Sequence, residues 1–300
     1  MTIDHFRILS YLLFTLLILL KLAVLSSRVY TMRTMSNRLN KKSILIIGGT
    51  SGIGLSAAKA CVREGGRVAI TGRNQSKLER ARAHFSSTVS VFESDAQSPE
   101  AAAEAVKRTV SEHGRIDALY HVAGGSGRRM GDGPLHEITN EGWNNTLQLN
   151  LNSVFYSNRA AVQQFLKQKE GGCILNMASV LGFSPSPRYF ATHAYATAKA
   201  GIIGFSKSIA AYYASVNIRI NVIAPGLVKT PMAQRAAENE DITQFIHTKQ
   251  PLDGGRIASS DDYDGAALFL LSEESAFMTG QVVVVDGGWT SSEGQYPGHG

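Results

Sequence analysis

Ser43-Ile-Leu-Ile-Ile-Gly-Gly-Thr-Ser-Gly-Ile-Gly54 is the stretch on which the fold turns. Ser43 to Ile47 is a short apolar run, the pattern of a strand covered on both faces. Glycines follow at once, and Leu55-Ser-Ala-Ala-Lys-Ala-Cys-Val-Arg-Glu64 then reads as a helix stopped by Gly65-Gly66. Strand, tight turn and helix N-terminus in that order make an anion site. The first N–H groups of a helix lack partners, and its dipole is positive there. Gly48 permits the turn, Gly52 lets backbone approach a phosphate, and Gly54 allows the helix to pack on the strand. Thr50, Ser51 and Ile53 complete the loop that would carry a dinucleotide.

The next apolar run, Arg67 to Thr71, ends in Gly72-Arg73-Asn74. An acidic residue at that place would accept from both ribose hydroxyls of NAD, and none is there. Gly72 clears space and Arg73 offers a guanidinium where a 2′-phosphate would lie, so NADP is expected in preference to NAD. The plainer alternative is a surface Arg opening a helix over Gln75–Phe85.

Composition narrows the classes of function. The chain has 300 residues, 44% of them hydrophobic, enough for one large α/β core. Its formal charge of +6 sits wholly in residues 1–42, where Arg7, Lys21, Arg28, Arg33, Arg38, Lys41 and Lys42 face only Asp4. Taking these from the chain's 30 basic and 24 acidic residues leaves 23 of each, a neutral body that argues against nucleic acid as a partner. Cys61 and Cys173 have no metal-ligand spacing around them, so packed, reduced thiols are expected and no metal site.

Ile8 to Leu25 is a mostly apolar run with one charge, Lys21, close to the length of a membrane span, while its uninterrupted part also fits a signal peptide. The basic residues after it would hold the following domain in the cytosol, on the endoplasmic reticulum in the first instance. A mitochondrial address, or a soluble form started at Met32 or Met35, is the alternative. The expected organisation is a membrane leader over 1–42, a catalytic domain over 43–290 and a flexible tail over 291–300.

Further along, Ser179 precedes Tyr195-Ala-Thr-Ala-Lys199. Residues four apart share a helix face, so the phenol and the ammonium can point into one site. A neighbouring cation favours an ionised phenol, and a serine hydroxyl could bind the same oxygen as the phenol. That is a skeleton for acid–base chemistry on a carbonyl or alcohol. The segment has no helix breaker until Gly201, and His193 just ahead reads as a polar loop residue.

These motifs resemble those of the short-chain dehydrogenase/reductase family over residues 43 to about 290, with a feel closest to 3-oxoacyl-carrier-protein reductases. The family's first motif falls on Ile47, Gly48, Gly52 and Gly54, with Ile47 in place of Thr. Its second, Asn-Asn-Ala-Gly, falls on His121-Val-Ala123-Gly124, with both asparagines replaced. The resemblance implies a doubly wound, seven-stranded parallel sheet. It places Asp95 at the adenine ring and Asn150, seven residues after Trp143, on a water that relays protons to Lys199. It makes Ser179 and Tyr195 partners of the substrate oxygen, and Lys199 the group that lowers the tyrosine pKa and holds the ribose. It runs Pro225, Gly226, Val228 and Thr230 past the nicotinamide. It also implies a homodimer or homotetramer.

The extra residues around Ser184-Pro-Ser-Pro-Arg-Tyr189 should form a loop beside the pocket, and residues 231–255 an amphipathic lid with loose ends. Together these readings predict an NADP(H)-dependent oxidoreductase that interconverts a ketone and a secondary alcohol, on a small and lipophilic substrate. The contrasting expectation is a membrane-tethered nucleotide-binding protein without turnover, suggested by Ile47 and the missing asparagines.

Overall fold

The computed structural model describes residues 37–85 and 87–294. The apolar run 8–25 and the end of the tail lie outside them. Among the described residues no helix is long and apolar enough to cross a membrane.

Seven parallel strands form one sheet: β1 Ser43–Ile47, β2 Arg67–Gly72, β3 Val89–Glu93, β4 Ala118–His121, β5 Gly172–Met177, β6 Ile218–Pro225 and β7 Val282–Val285. Their order is β3-β2-β1-β4-β5-β6-β7, the doubly wound sheet that the family resemblance implies. In β1 every residue is buried. Alternation splits it between two cores: Ile44 and Ile46 face one side, Leu45 and Ile47 the other.

On the first side lie α1 (Gly52–Arg63), through Ala57, Ala58 and Cys61, and α2 (Gln75–Phe85), through Ala81 and Phe85. Helix Asp264–Leu271 joins them through Ala267, Leu268 and Leu270. On the second side lie α3 (Pro99–His113) through Ala105 and Val106, and helix Ser153–Gln168 through Ala161 and Phe165. Ala210 of helix His193–Tyr213 closes that layer. Each fully buried Ile or Leu contributes about 1.5–3 kcal/mol, against about 0–1 kcal/mol for an exposed ion pair. Apolar pattern therefore decides the architecture, and charge does not.

Three boundaries differ from expectation. The packed body already includes residues 38–42: Leu39 is fully buried, its N–H bonds Glu64 O at 3.0 Å, and Arg38 and Lys42 pair with Glu274 and Glu273, both at 2.6 Å. Two charges of the supposed leader flank thus belong to the domain. The helix from His193 runs through Gly201 to Tyr213 without breaking. A Cβ at Gly201 would stand 3.2 Å from Leu151 Cδ2, so this glycine serves a tight helix contact. The tail is held as far as Gly294: Ser292 Oγ donates to Thr248 O and Thr248 Oγ1 to Gly294 O, each at 2.7 Å.

The sheet order reverses between β1 and β4, whose C-terminal residues Ile47 and His121 lie side by side. Ligands of open parallel sheets bind in that crevice.

Candidate active site

The glycine loop is built as the sequence suggests. Gly48 adopts φ +87°, and a Cβ there would lie 2.8 Å from Ala123 N. A Cβ at Gly54 would stand 2.3 Å from Gly48 O, so only glycine lets α1 start directly against the turn. Ser51 caps α1 without bonding a backbone N–H through its side chain, leaving the first N–H groups of α1 for a ligand. Thr50, Gly52 and Ile53 continue this loop, and Thr230 faces it: its Cγ2 lies 3.3 Å from a Cβ built on Gly52. Pro225 ends β6, Gly226 N bonds Val285 O at 3.3 Å, and Val228 bridges to Ala258. The donor-rich, glycine-rich cradle fits the pyrophosphate of a dinucleotide.

At the end of β2, Arg73 Nη1 lies 3.9 Å from Asp95 Oδ1, and both side chains are about half exposed. A pair that long and that wet is weak, so the guanidinium stays free to turn to an anion. A second cation escaped the sequence reading: Lys77 Nζ reaches Ser51 Oγ at 3.4 Å. Its signal was its place one turn after Arg73, on the helix that follows.

Across the crevice, α4 (Asn140–Leu147) passes into a π-helical turn, Gln148–Asn152, before α5 (Ser153–Gln168) continues. Asn150 sits in the middle of that turn, fully buried. Its Nδ2 donates to Gly125 O at 2.9 Å and Thr146 O at 3.0 Å, while Oδ1 accepts from Gly125 N at 3.0 Å. Both amide protons are thus used within the protein, and one Oδ1 lone pair remains. The widened turn, a feature frequent at functional sites, is what brings this asparagine to the loop after β4.

The helix carrying Tyr195 and Lys199 is α6 (His193–Tyr213). Its start is held by a residue that sequence reasoning missed. The buried Asp132 carboxylate accepts from Ala194 N at 3.0 Å and Tyr195 N at 2.9 Å. No local signal could reveal it, because the cap comes from 62 and 63 residues upstream. His193 is exposed at the helix head, in keeping with a polar residue outside the chemistry.

Lys199 Nζ donates to Met177 O at 2.8 Å and lies 5.5 Å from the centre of the Tyr195 ring. A Cβ built on Gly124 would be 2.7 Å from Asn150 Oδ1 and 3.5 Å from Lys199 Nζ, so those two groups flank the same small space. Ser179 follows β5 and caps the short turn Val180–Gly182, accepting from Leu181 N at 3.2 Å. Gly182 lets that turn rest on α6, since a Cβ there would meet Ala200 N at 2.8 Å. The structure thereby brings Ser179, Tyr195, Lys199 and Asn150 to one place.

Burial dominates the electrostatics of this pair. Burial pushes Tyr195 up to about 12, with the nearby Ser179 hydroxyl opposing it, and pushes Lys199 down to about 7.

Beneath them lies His121, fully buried in place of the family asparagine. Its Nδ1 is 2.7 Å from Ser157 Oγ and its Nε2 is 3.4 Å from Ser153 Oγ. Burial, then the charge of Lys199, bring its pKa down to about 3 from an ordinary 6.5. The loop expected around Ser184–Tyr189 is present and packed. Trp289 Nε1 donates to Ser184 O at 3.2 Å, and Tyr189 and Phe190 stack with Phe245 and Trp289. The lid helices Gln234–Ala237 and Glu240–Lys249 close the same aromatic cluster through Ala236, Ile242 and Ile246.

A dinucleotide cradle facing a Ser–Tyr–Lys–Asn constellation, buried but for its half-buried tyrosine, defines a nicotinamide-dependent oxidoreductase. Residues 48–290 match the family model described as enoyl-(acyl carrier protein) reductase. A probable 2,4-dienoyl-CoA reductase of Bacillus subtilis is 33% identical over 83% of this chain and 97% of its own length. A 3-oxoacyl-[acyl-carrier-protein] reductase of Chlamydia muridarum is 34% identical over 85% of this chain and 99% of its own. A short-chain type dehydrogenase/reductase from Mycobacterium ulcerans superposes with a TM-score of 0.78 at 29% identity, covering 85% of this chain and 91% of that one. The chain belongs to the short-chain dehydrogenase/reductase family and is an NAD(P)-dependent enzyme of it.

The His121 assignment has a consequence for acid stability. Between about pH 3 and pH 6.5 the unfolded chain binds a proton that native His121 refuses, so stability falls as pH falls through that window. His121→Asn should remove that component, on the order of 3 kcal/mol by pH 4. Urea unfolding at pH 7 and pH 4 measures it. An acid-induced drop as large in the variant as in the wild type would show that His121 is not its source.

Proposed function

We propose that this enzyme reduces a ketone to a secondary alcohol with NADPH, or runs the reverse reaction, with Tyr195 as the proton donor. The observation that carries this reading is the gathering of Ser179, Tyr195, Lys199 and Asn150 at the C-terminal edge of β4 and β5, opposite the glycine loop. The cofactor supplies hydride. With a pKa near 12 the phenol holds its proton at neutral pH, the form a reduction consumes. Ser179 binds and orients the carbonyl oxygen. Lys199 and the remaining Oδ1 lone pair of Asn150 hold the path by which the proton is replaced. Tyr195→Phe keeps the ring packing and removes the transferable proton. NADPH oxidation against a ketone panel should fall by at least about 10²-fold while NADPH titration is unchanged. Comparable turnover in the variant would assign the proton to another group.

The preference for NADP rests on Arg73, backed by Lys77, at the end of β2. Arg73→Ala should weaken NADPH binding about tenfold and NADH binding little, the contact being ionic and partly exposed. Equal losses for both cofactors would reduce Arg73 to a solvated surface residue. Placing an aspartate at 72 to invert the preference is obstructed: a Cβ there would lie 2.6 Å from Thr50 Oγ1.

Attachment to a membrane through residues 8–25, with the domain in the cytosol, is supported by the apolar run and the basic residues after it. Protease added outside sealed microsomes should digest the domain. Protection of the domain, or its recovery in the soluble fraction, would rule that arrangement out. Self-association is proposed for α5 and α6, where Phe155 and Tyr212 are exposed and Phe155 meets Phe205 edge-on.

A further inference from the structure

A cavity of about 300 Å³ opens where three separate segments converge, and its lining is cationic. Arg128 comes from the short turn Arg128–Met130 after β4, Arg188 from the loop ahead of α6, and Arg235 from the lid helix Gln234–Ala237. Asp241 is the one carboxylate in that lining. None of the three arginines forms an ion pair within 4 Å among the described residues. Arg128 is partly buried and fixed by one bond, from Nη2 to Tyr189 O at 3.0 Å. Burial and the proximity of Arg235 both press its pKa down, with Asp132 opposing them. Arg188 lies over the Tyr189 ring, 5.1 Å from its centre.

Guanidiniums gathered round one cavity repel each other, and an anion relieves that repulsion. Their forked donors suit phosphate and carboxylate oxygens. The dinucleotide's own phosphates already have the glycine loop, Arg73 and Lys77, so these arginines are left for another ligand. Two links tie the cavity to the chemistry. Ala191 lines it, four residues before Tyr195. Asp132, which caps α6 at Tyr195, ends the same loop that carries Arg128.

We propose that the Arg128–Arg188–Arg235 cavity binds an oxyanion group, phosphate or carboxylate, on the carbonyl substrate. The preferred substrates are then anionic ketones, in place of the lipophilic ketone expected from the sequence. This inference rests on the reading of the site as a carbonyl-reducing one.

The test uses the full-length enzyme saturated with oxidised cofactor, with which a ketone binds but is not reduced. Calorimetric titration compares two matched pairs: a 3-keto carboxylate with its methyl ester, and a phosphorylated hydroxyketone with its dephosphorylated parent. The charged member of at least one pair should bind about tenfold more tightly or better, and the preference should shrink as salt is raised. The pair with the larger ratio identifies the anion. Arg188→Glu and Arg235→Glu, both at exposed positions, should each pull that ratio toward one. Equal binding within both pairs, or a ratio that neither charge reversal moves, overturns the assignment. Assays of the same ketones with reduced cofactor keep the two readings apart. Charge-selective binding without turnover sinks carbonyl reduction alone. Turnover without charge selectivity sinks the cavity assignment alone.

Discussion

Desolvation of the Tyr195–Lys199 pair is the constraint around which the rest of this enzyme is arranged. An ammonium that is 3% exposed and an adjoining phenol cannot both ionise cheaply, and burial drives each toward its neutral form. The fold must therefore supply partners. Met177 O at the end of β5 accepts from Lys199, and the Ser179 hydroxyl stands by the phenol. The Asp132 carboxylate meanwhile secures the backbone from which both side chains project. Each partner arises from the C-terminal side of a strand or from the loop after it, which is where a doubly wound sheet exposes its chain ends.

Much of this was legible because strands covered on both faces leave a simple trace. Ser43–Ile47 coincides with β1, and Gln75–Phe85 with α2. The family resemblance, through its spacing from Trp143, pointed to Asn150 among several nearby asparagines, and that residue makes the reciprocal bonds to Gly125. What stayed hidden was whatever depends on residues far apart in sequence. The Asp132 cap, the arginines of the cavity and the docking of Ser292 on Thr248 each join segments tens of residues distant. The π-turn was hidden for a different reason. Its cause is the requirement to bring Asn150 to Gly125, a tertiary demand that local propensity does not record.

The substitutions that set this chain apart from its relatives' motifs bear on whether the site is intact. Ile47, standing where the family has Thr, is a core residue whose carbonyl accepts from Val122 and Ala123, both at 2.9 Å. Those bonds use backbone alone, so the side-chain change leaves the seam between β1 and the loop after β4 in place. His121 is the more demanding replacement, because a buried imidazole could charge and expel its neighbour Lys199. It does not, for a pKa near 3 keeps it neutral, and Ser157 and Ser153 serve its two ring nitrogens. A neutral, hydrogen-bonded imidazole meets the same requirement as a carboxamide: it fills polar space beside Lys199 without adding charge. Ser153 Oγ also donates to Leu149 O at 2.7 Å, inside the π-turn that presents Asn150. The replaced motif thus supports Asn150 through a serine bridge, and the departures that suggested a protein without turnover leave the grouping of Ser179, Tyr195, Lys199 and Asn150 in place.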